Sequence, residues 1–268
     1  MDEKLIVSLG WERDLPDFRD YNPSTKEVDS ILKKSNPLKS AAKIESVVDL
    51  TKWCSPIEDQ GKLGSCTANA GVGLLEYYEH RAYGRYLDGS RLFLYKVTRD
   101  LLGKKGDTGA HLRTTMKAIA LFGVPPEKYW PYDISGFDNE PSSFCYAFAG
   151  NYKAIQYYRL DPVGSSTKES LDRIKTNLAA GLPSMFGFSV FSSIPKAGDK
   201  TGDIPFPDSN DSLIGGHAVV AVGYDDKKKI RKSKGALMIR NSWGTQWGEN
   251  GYGWLPYDYV ESGLAVDF

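Results

Sequence analysis

Cysteine is scarce in this chain. Cys54, Cys66 and Cys145 are the only three among 268 residues, too few and odd in number to staple a fold, so the chain is no disulfide scaffold and at least one thiol stays free. Histidine is equally scarce. His80, His111 and His217 stand far apart, and neither CxxC nor HExxH occurs, which removes the familiar sequence patterns of zinc sites. No metal and no organic cofactor is expected. An excess of one charge is missing too: 34 basic residues balance 34 acidic ones, so no net field draws the chain to nucleic acid or to an anionic membrane surface. Apolar runs are short, of the order of residues 218–222, against the roughly 20 residues that a helical membrane span needs. The opening MDEKLIVSLGWERD carries acid and little apolar sequence, unlike a secretory leader. The expectation is a cytoplasmic protein in a reducing compartment, with neither nucleic-acid nor membrane partners.

What is present suits a folded core. Apolar residues make up 41% and charged residues 25%, the balance of an ordinary globular chain long enough for one large or two small domains. Residues 1–45 mix Pro16, Pro23 and Pro37 with charge and read as an extended arm with one short helix near 28–34. From Gly64 the pattern changes: Ala70, Leu74, Leu75, Tyr78 and Ala82 recur at three and four residues up to Gly84, a helix with Cys66 in its first turn. Further helices are expected over 112–121 and 168–180. Residues 183–191, 217–224 and 235–240 then switch to strand-like runs. Helices before strands argue for an α+β fold, a mainly helical half (about 46–155) and a mainly antiparallel β half (about 156–268) flanking a cleft. The charged run 225–234 reads as a solvated turn. Pairing across it joins residues whose numbers total about 459 and sets His217 opposite Asn241 or Ser242.

A thiol in a helix's first turn feels the partial positive charge of the exposed N–H groups, which favours the thiolate. Gln60, six residues upstream, can fold back to place a side-chain amide beside the same helix end, where an oxyanion would be held. Three blocks then combine: Gln60-Gly61-Lys62-Leu63-Gly64-Ser65-Cys66, Gly215-Gly216-His217-Ala218-Val219, and Asn241-Ser242-Trp243-Gly244. Their order, with His217 151 residues after Cys66 and Asn241 24 further on, resembles the signature of the papain-like cysteine peptidases. The resemblance extends over most of residues 47–260 and implies roles: Cys66 as nucleophile, His217 as general base and acid, Asn241 as the group that orients the imidazole, Gln60 as oxyanion donor, and Trp243 as the indole that shields the His217–Asn241 bond. It implies a thiolate–imidazolium pair acting on a peptide or protein substrate through an acyl-enzyme. An acyltransferase or isopeptidase on the same site, and a catalytically silent peptide-binding module, are the competing readings.

The chain also departs from the pattern of secreted members, which carry a cysteine three residues before the nucleophile and an aromatic after it; Leu63 and Thr67 stand there. The disulfide beside the site is thus not expected, and Leu63 is expected to pack in its place. Gly109 and Ala110 resemble the edge that hydrogen-bonds an extended substrate, while Gly187, Gly215 and Gly216 leave a roomy second subsite. The segment 10–21 is similar to leaders on prokaryotic members. Residues 1–45 are expected to be a short pro-segment that crosses and partly blocks the cleft in cis, with an arm packed on the outside as the alternative.

Overall fold

The computed structural model describes residues 9–35, 45–195 and 199–268. It is an α+β fold, helices followed by an antiparallel sheet. After the arm helix α1 (Lys26–Ser35) comes a short strand β1 (Val47–Asp49), then α2 (Cys66–Tyr83), α3 (Arg91–Leu101), α4 (Leu112–Leu121), α5 (Ser143–Ala149) and α6 (Thr167–Ala179). The strands β2 (Ser184–Phe191), β3 (Leu213–Ile230), β4 (Ser233–Arg240) and β5 (Tyr252–Pro256) follow, then a short helix α7 (Tyr257–Glu261) and β6 (Ala265–Val266). The strands form one antiparallel sheet in the order β5-β4-β3-β2-β6, with β1 paired to β3.

Local sequence explains the helices that position the site. The central helix α2 is buried along most of its length because its first turns are built from Ala68, Ala70, Gly71, Val72 and Gly73, small enough for α3, α4 and β3 to approach it. A methyl group on Gly71 would meet Thr115, Ile119 and Leu94 at 3.1–3.2 Å. The helix stops at Gly84, which takes the left-handed conformation at φ 68°. The α6 helix opens with a reciprocal pair of hydrogen bonds between Ser166 and Glu169. One apolar cluster fills the β half around Phe186, Phe188, Leu237, Ile239 and Tyr259, and another fills the helical half around Val72, Phe93, Tyr95 and Ile119. A third lies where the halves meet: Cys66, Ala70, Leu74 and Leu112 against Met185, Ala218, Val220 and Val222.

Two expectations need correction. The charged run 225–234 is strand for most of its length, turning only at Arg231–Lys232 with Arg231 at φ 53°. Its charges sit on a hairpin that extends past the body of the sheet and find partners there, Lys175 with Asp226 and Lys228 with Asp203, each at 2.7 Å. Bulges between Ala221 and Gly223 and between Asp225 and Lys229 also shift the register. Next to the site the paired numbers total 460, Val220 with Arg240 and Ala221 with Ile239, one more than expected, and β4 ends at Arg240, so Asn241 lies just past the last pair.

Candidate active site

Cys66 is the first residue of α2 and fully buried. The backbone amides of Ala218, Gly10 and Thr67 near its sulfur favour the thiolate, against the larger effect of burial. Ala218, which follows His217 on β3, packs in the same apolar cluster as Cys66.

The imidazole is fixed from the other side. His217 Nε2 is 2.7 Å from Asn241 Oδ1, and the Ser242 N–H donates to the same oxygen at 2.8 Å. A backbone amide can only donate, so Oδ1 is the acceptor in both bonds and Nε2 carries the proton. In the neutral ring Nδ1 then bears the lone pair. Nδ1 is buried and has no hydrogen-bond partner among the described residues, which leaves it available to the thiol. Asn241 is held after the chain leaves β4, its N–H donating to Gly251 at 3.0 Å. The Trp243 ring stacks on the imidazole with centroids 4.3 Å apart and planes 26° apart. The hairpin brings Asn241 to the end of β4, one residue past the Val220–Arg240 pair, and the turn that follows completes the approach to His217.

Gln60 is aimed in the same manner. Its Oε1 accepts the Ser242 hydroxyl at 2.6 Å, so its Nε2 is the end that faces the turn ahead of α2, where it donates to the Leu63 carbonyl at 2.9 Å. Its N–H donates to Ser242 at 2.9 Å, and the Tyr132 hydroxyl donates to its carbonyl at 3.0 Å. Ser242 thus touches both Asn241 and Gln60, a role the sequence reading missed. The three cysteines are free thiols, and Leu63 is 2% exposed within the helical core.

The sequence profile of the papain family cysteine proteases matches residues 44–266. The chain belongs to this family. An uncharacterized peptidase C1-like protein of Acanthamoeba polyphaga mimivirus is 35% identical over 280 aligned positions, covering 100% of this chain and 88% of that protein. Cathepsin K of Gallus gallus is 29% identical over 75% of this chain and 54% of its own length. Among solved structures, xylellain, a cysteine protease from Xylella fastidiosa, superposes with a TM-score of 0.79 at 35% identity, covering 97% of this chain and 94% of its own.

In this papain-family chain the arm residues Leu9, Gly10 and Trp11 lie against Gly109, Gly187, Gly215 and Gly216, the glycines read as substrate-binding. Gly10 accepts the Ala110 N–H at 2.8 Å, and Glu12 donates to the Ala110 carbonyl at 3.0 Å, so Trp11 and Ala110 pair as parallel strands. The Trp11 N–H reaches the Gly216 carbonyl at 3.2 Å. Its indole fills the space left by two missing side chains: a Cβ on Gly187 would lie 1.9 Å from the ring, and one on Gly216 2.6 Å. Leu9 does the same at Gly215. Gly109, at φ 70°, is needed both for its backbone and because a Cβ would stand 2.3 Å from the Gly10 carbonyl oxygen.

Charges clamp the arm to both halves. Glu12 pairs with Lys104 at 2.7 Å, and Asp20 with Arg113 at 2.7 Å and Arg159 at 3.3 Å. The buried Asp14 lies 3.5 Å from Arg159, and its N–H donates to Asp267 at 2.9 Å. Burial, then the charge of Asp267, raises the Asp14 carboxyl above its usual range. Under this cover Cys66 and His217 are both pressed towards their neutral forms. Burial pushes the Cys66 thiol up to about 11 and the His217 imidazole down to about 4, since a group taken from water loses most in its charged form. The expected thiolate–imidazolium pair is thus disfavoured with the arm seated.

Asn241→Ala tests the aim of the ring. Nε2 then loses its acceptor and the imidazole can turn, so kcat/KM for a peptide should fall about 100-fold, the usual cost of a misplacement of about 1 Å, with kcat carrying most of the loss in steady-state kinetics.

Proposed function

We propose that this chain hydrolyses peptide bonds, with Cys66 as nucleophile and His217 as base and then acid. His217 Nδ1 takes the thiol proton and the thiolate attacks the substrate carbonyl carbon. The Gln60 side-chain amide and the Cys66 N–H receive the oxyanion, where one lost donor typically costs about 3 kcal/mol of barrier. The imidazolium gives its proton to the leaving amine. A water, deprotonated by the same nitrogen, then cleaves the thioester. The observation that carries this reading is the lone pair at His217 Nδ1, fixed by Asn241 and left unpartnered, on the residue preceding Ala218, which packs in one cluster with the helix-start thiol Cys66.

The arm's part in this reading is that of an occupant of the cleft in cis, a pro-segment that is seated but not cut. Its support is positional: the arm backbone bonds to Ala110 on one side and Gly216 on the other, and the Gly10 amide lies near the Cys66 sulfur. The parallel sense of the Trp11–Ala110 pairing accompanies that placement.

A mixed peptide library incubated with the protein should be cleaved, with mass spectrometry reading the products, and Cys66→Ala should leave the library intact. Cleavage that survives Cys66→Ala would assign the activity elsewhere.

A further inference from the structure

The N–H of Gly64, two residues before Cys66, points into the Asp107 carboxylate, 3.0 and 3.1 Å from its two oxygens. The same carboxylate accepts the Tyr95 hydroxyl at 2.6 Å. That hydroxyl's oxygen in turn accepts the N–H of Gly109 at 3.1 Å, and Gly109 adjoins Ala110, whose N–H and carbonyl meet the extended backbone in the cleft. One carboxylate therefore links the turn that carries the thiol to the edge that would carry a substrate.

The link is built, not incidental. A Cβ on Gly64 would stand 2.9 Å from Asp107 Oδ1, so glycine is what admits the carboxylate at this range. Tyr95 is fully buried on α3, and the Arg99 guanidinium lies over its ring at 4.3 Å. Arg99 also donates to the Gly106 carbonyl at 2.6 Å, holding the Asp107 loop from behind. No covalent bridge does this work: Leu63 stands where secreted members carry a cysteine, and all three thiols are free. None of the four groups in the relay belongs to the arm, so the link outlasts the arm's departure.

We propose that Asp107 is a positioning residue, holding the Cys66 turn and the Gly109–Ala110 edge at the spacing that brings a bound peptide carbonyl to the sulfur; the assignment rests on the peptidase reading above. Bonds to an ionised acceptor are shorter and stiffer than neutral ones, and reaction rates fall steeply when two reacting parts lose their relative placement.

Two thiol reagents on the full-length chain separate positioning from reactivity. Iodoacetamide needs only the sulfur, whereas a peptidyl chloromethyl ketone must also lie along Ala110. Both require the arm to give way, so that equilibrium divides out of the ratio of their inactivation rate constants. The ratio should fall about 10- to 100-fold in Asp107→Ala and in Tyr95→Phe, and the double variant should lose no more than Asp107→Ala, because both act through one relay. Tyr95→Phe keeps the ring beneath Arg99 and answers the question should Asp107→Ala fail to fold. A ratio within twofold of the parent in Tyr95→Phe and in any folded Asp107→Ala overturns the assignment. A parent that shows no preference for the peptidyl reagent overturns the peptidase reading instead, and this inference with it.

Discussion

Trp11→Ala in the full-length chain is expected to raise peptide turnover by about 100-fold. The half-buried indole fills a space bounded by Gly187 and Gly216; truncating a fully buried tryptophan typically costs about 3 to 5 kcal/mol, and the low end of that range is enough to move the arm from almost always seated to frequently open. Gly10→Ala should act in the same direction for an independent reason, since its Cβ would fall 1.8 Å from the Gly64 carbonyl oxygen. The thiol reports the same change. With its ionisation pushed up to about 11, roughly one Cys66 in 10,000 is thiolate at pH 7. Alkylation of the parent should therefore climb about tenfold per pH unit from pH 7 to pH 10, whereas in Trp11→Ala the profile should shift to lower pH. Deleting residues 1–45 should also raise turnover, but Arg113 and Arg159 then lose Asp14 and Asp20, so the point variants are the cleaner test. Turnover and alkylation unchanged in both would mean that the arm does not limit access.

His217→Ala should cost far more than Asn241→Ala, about 10,000-fold in kcat/KM measured in the Trp11→Ala background. The first removes the lone pair that accepts the thiol proton and the proton that the leaving amine needs, two transfers each worth about 100-fold or more. The second removes only the acceptor that aims the ring. The two losses should not multiply in the double variant, because a ring that is absent cannot be misaimed. Equal losses in the single variants would mean that the imidazole serves some purpose other than proton transfer.

Periodic apolar residues on one helix face made α2, α4 and α6 legible in the sequence, and the runs of Val, Ala and Phe did the same for the bodies of β2, β3 and β4. The α3 helix was not read from the sequence although its apolar residues are periodic, and its polar residues Arg91, Lys96 and Arg99 are buried too, Arg91 and Arg99 through ion pairs to residues distant in sequence. Strands β1, β5 and β6 have two to five residues, too short to show alternation, and β1 joins the sheet from within the expected helical half. The hairpin was read as a loop because charge was taken for the absence of a strand, although a hairpin beyond the sheet's body can expose charge on both faces. At the site, Cys66, Gln60, His217 and Asn241 were legible from motif order. Ser242, Asp107 and Tyr95 were not, since each acts through a backbone group or side chain that only the fold brings near. Trp11 could have been suspected from Gly187 and Gly216, whose missing side chains already implied a space to be filled.

Asp14 and Asp267 are 253 residues apart in sequence and joined by a hydrogen bond. Contacts between such distant partners form late in folding, after the loops they close have been ordered. During synthesis Asp14 waits until Asp267 has left the ribosome, and by then β2, β3 and β4 can already have paired. The cleft is thus assembled before its cover is locked down, and a ribosome stalled ahead of Asp267 would hold a nascent protein whose thiol is still open to reagents.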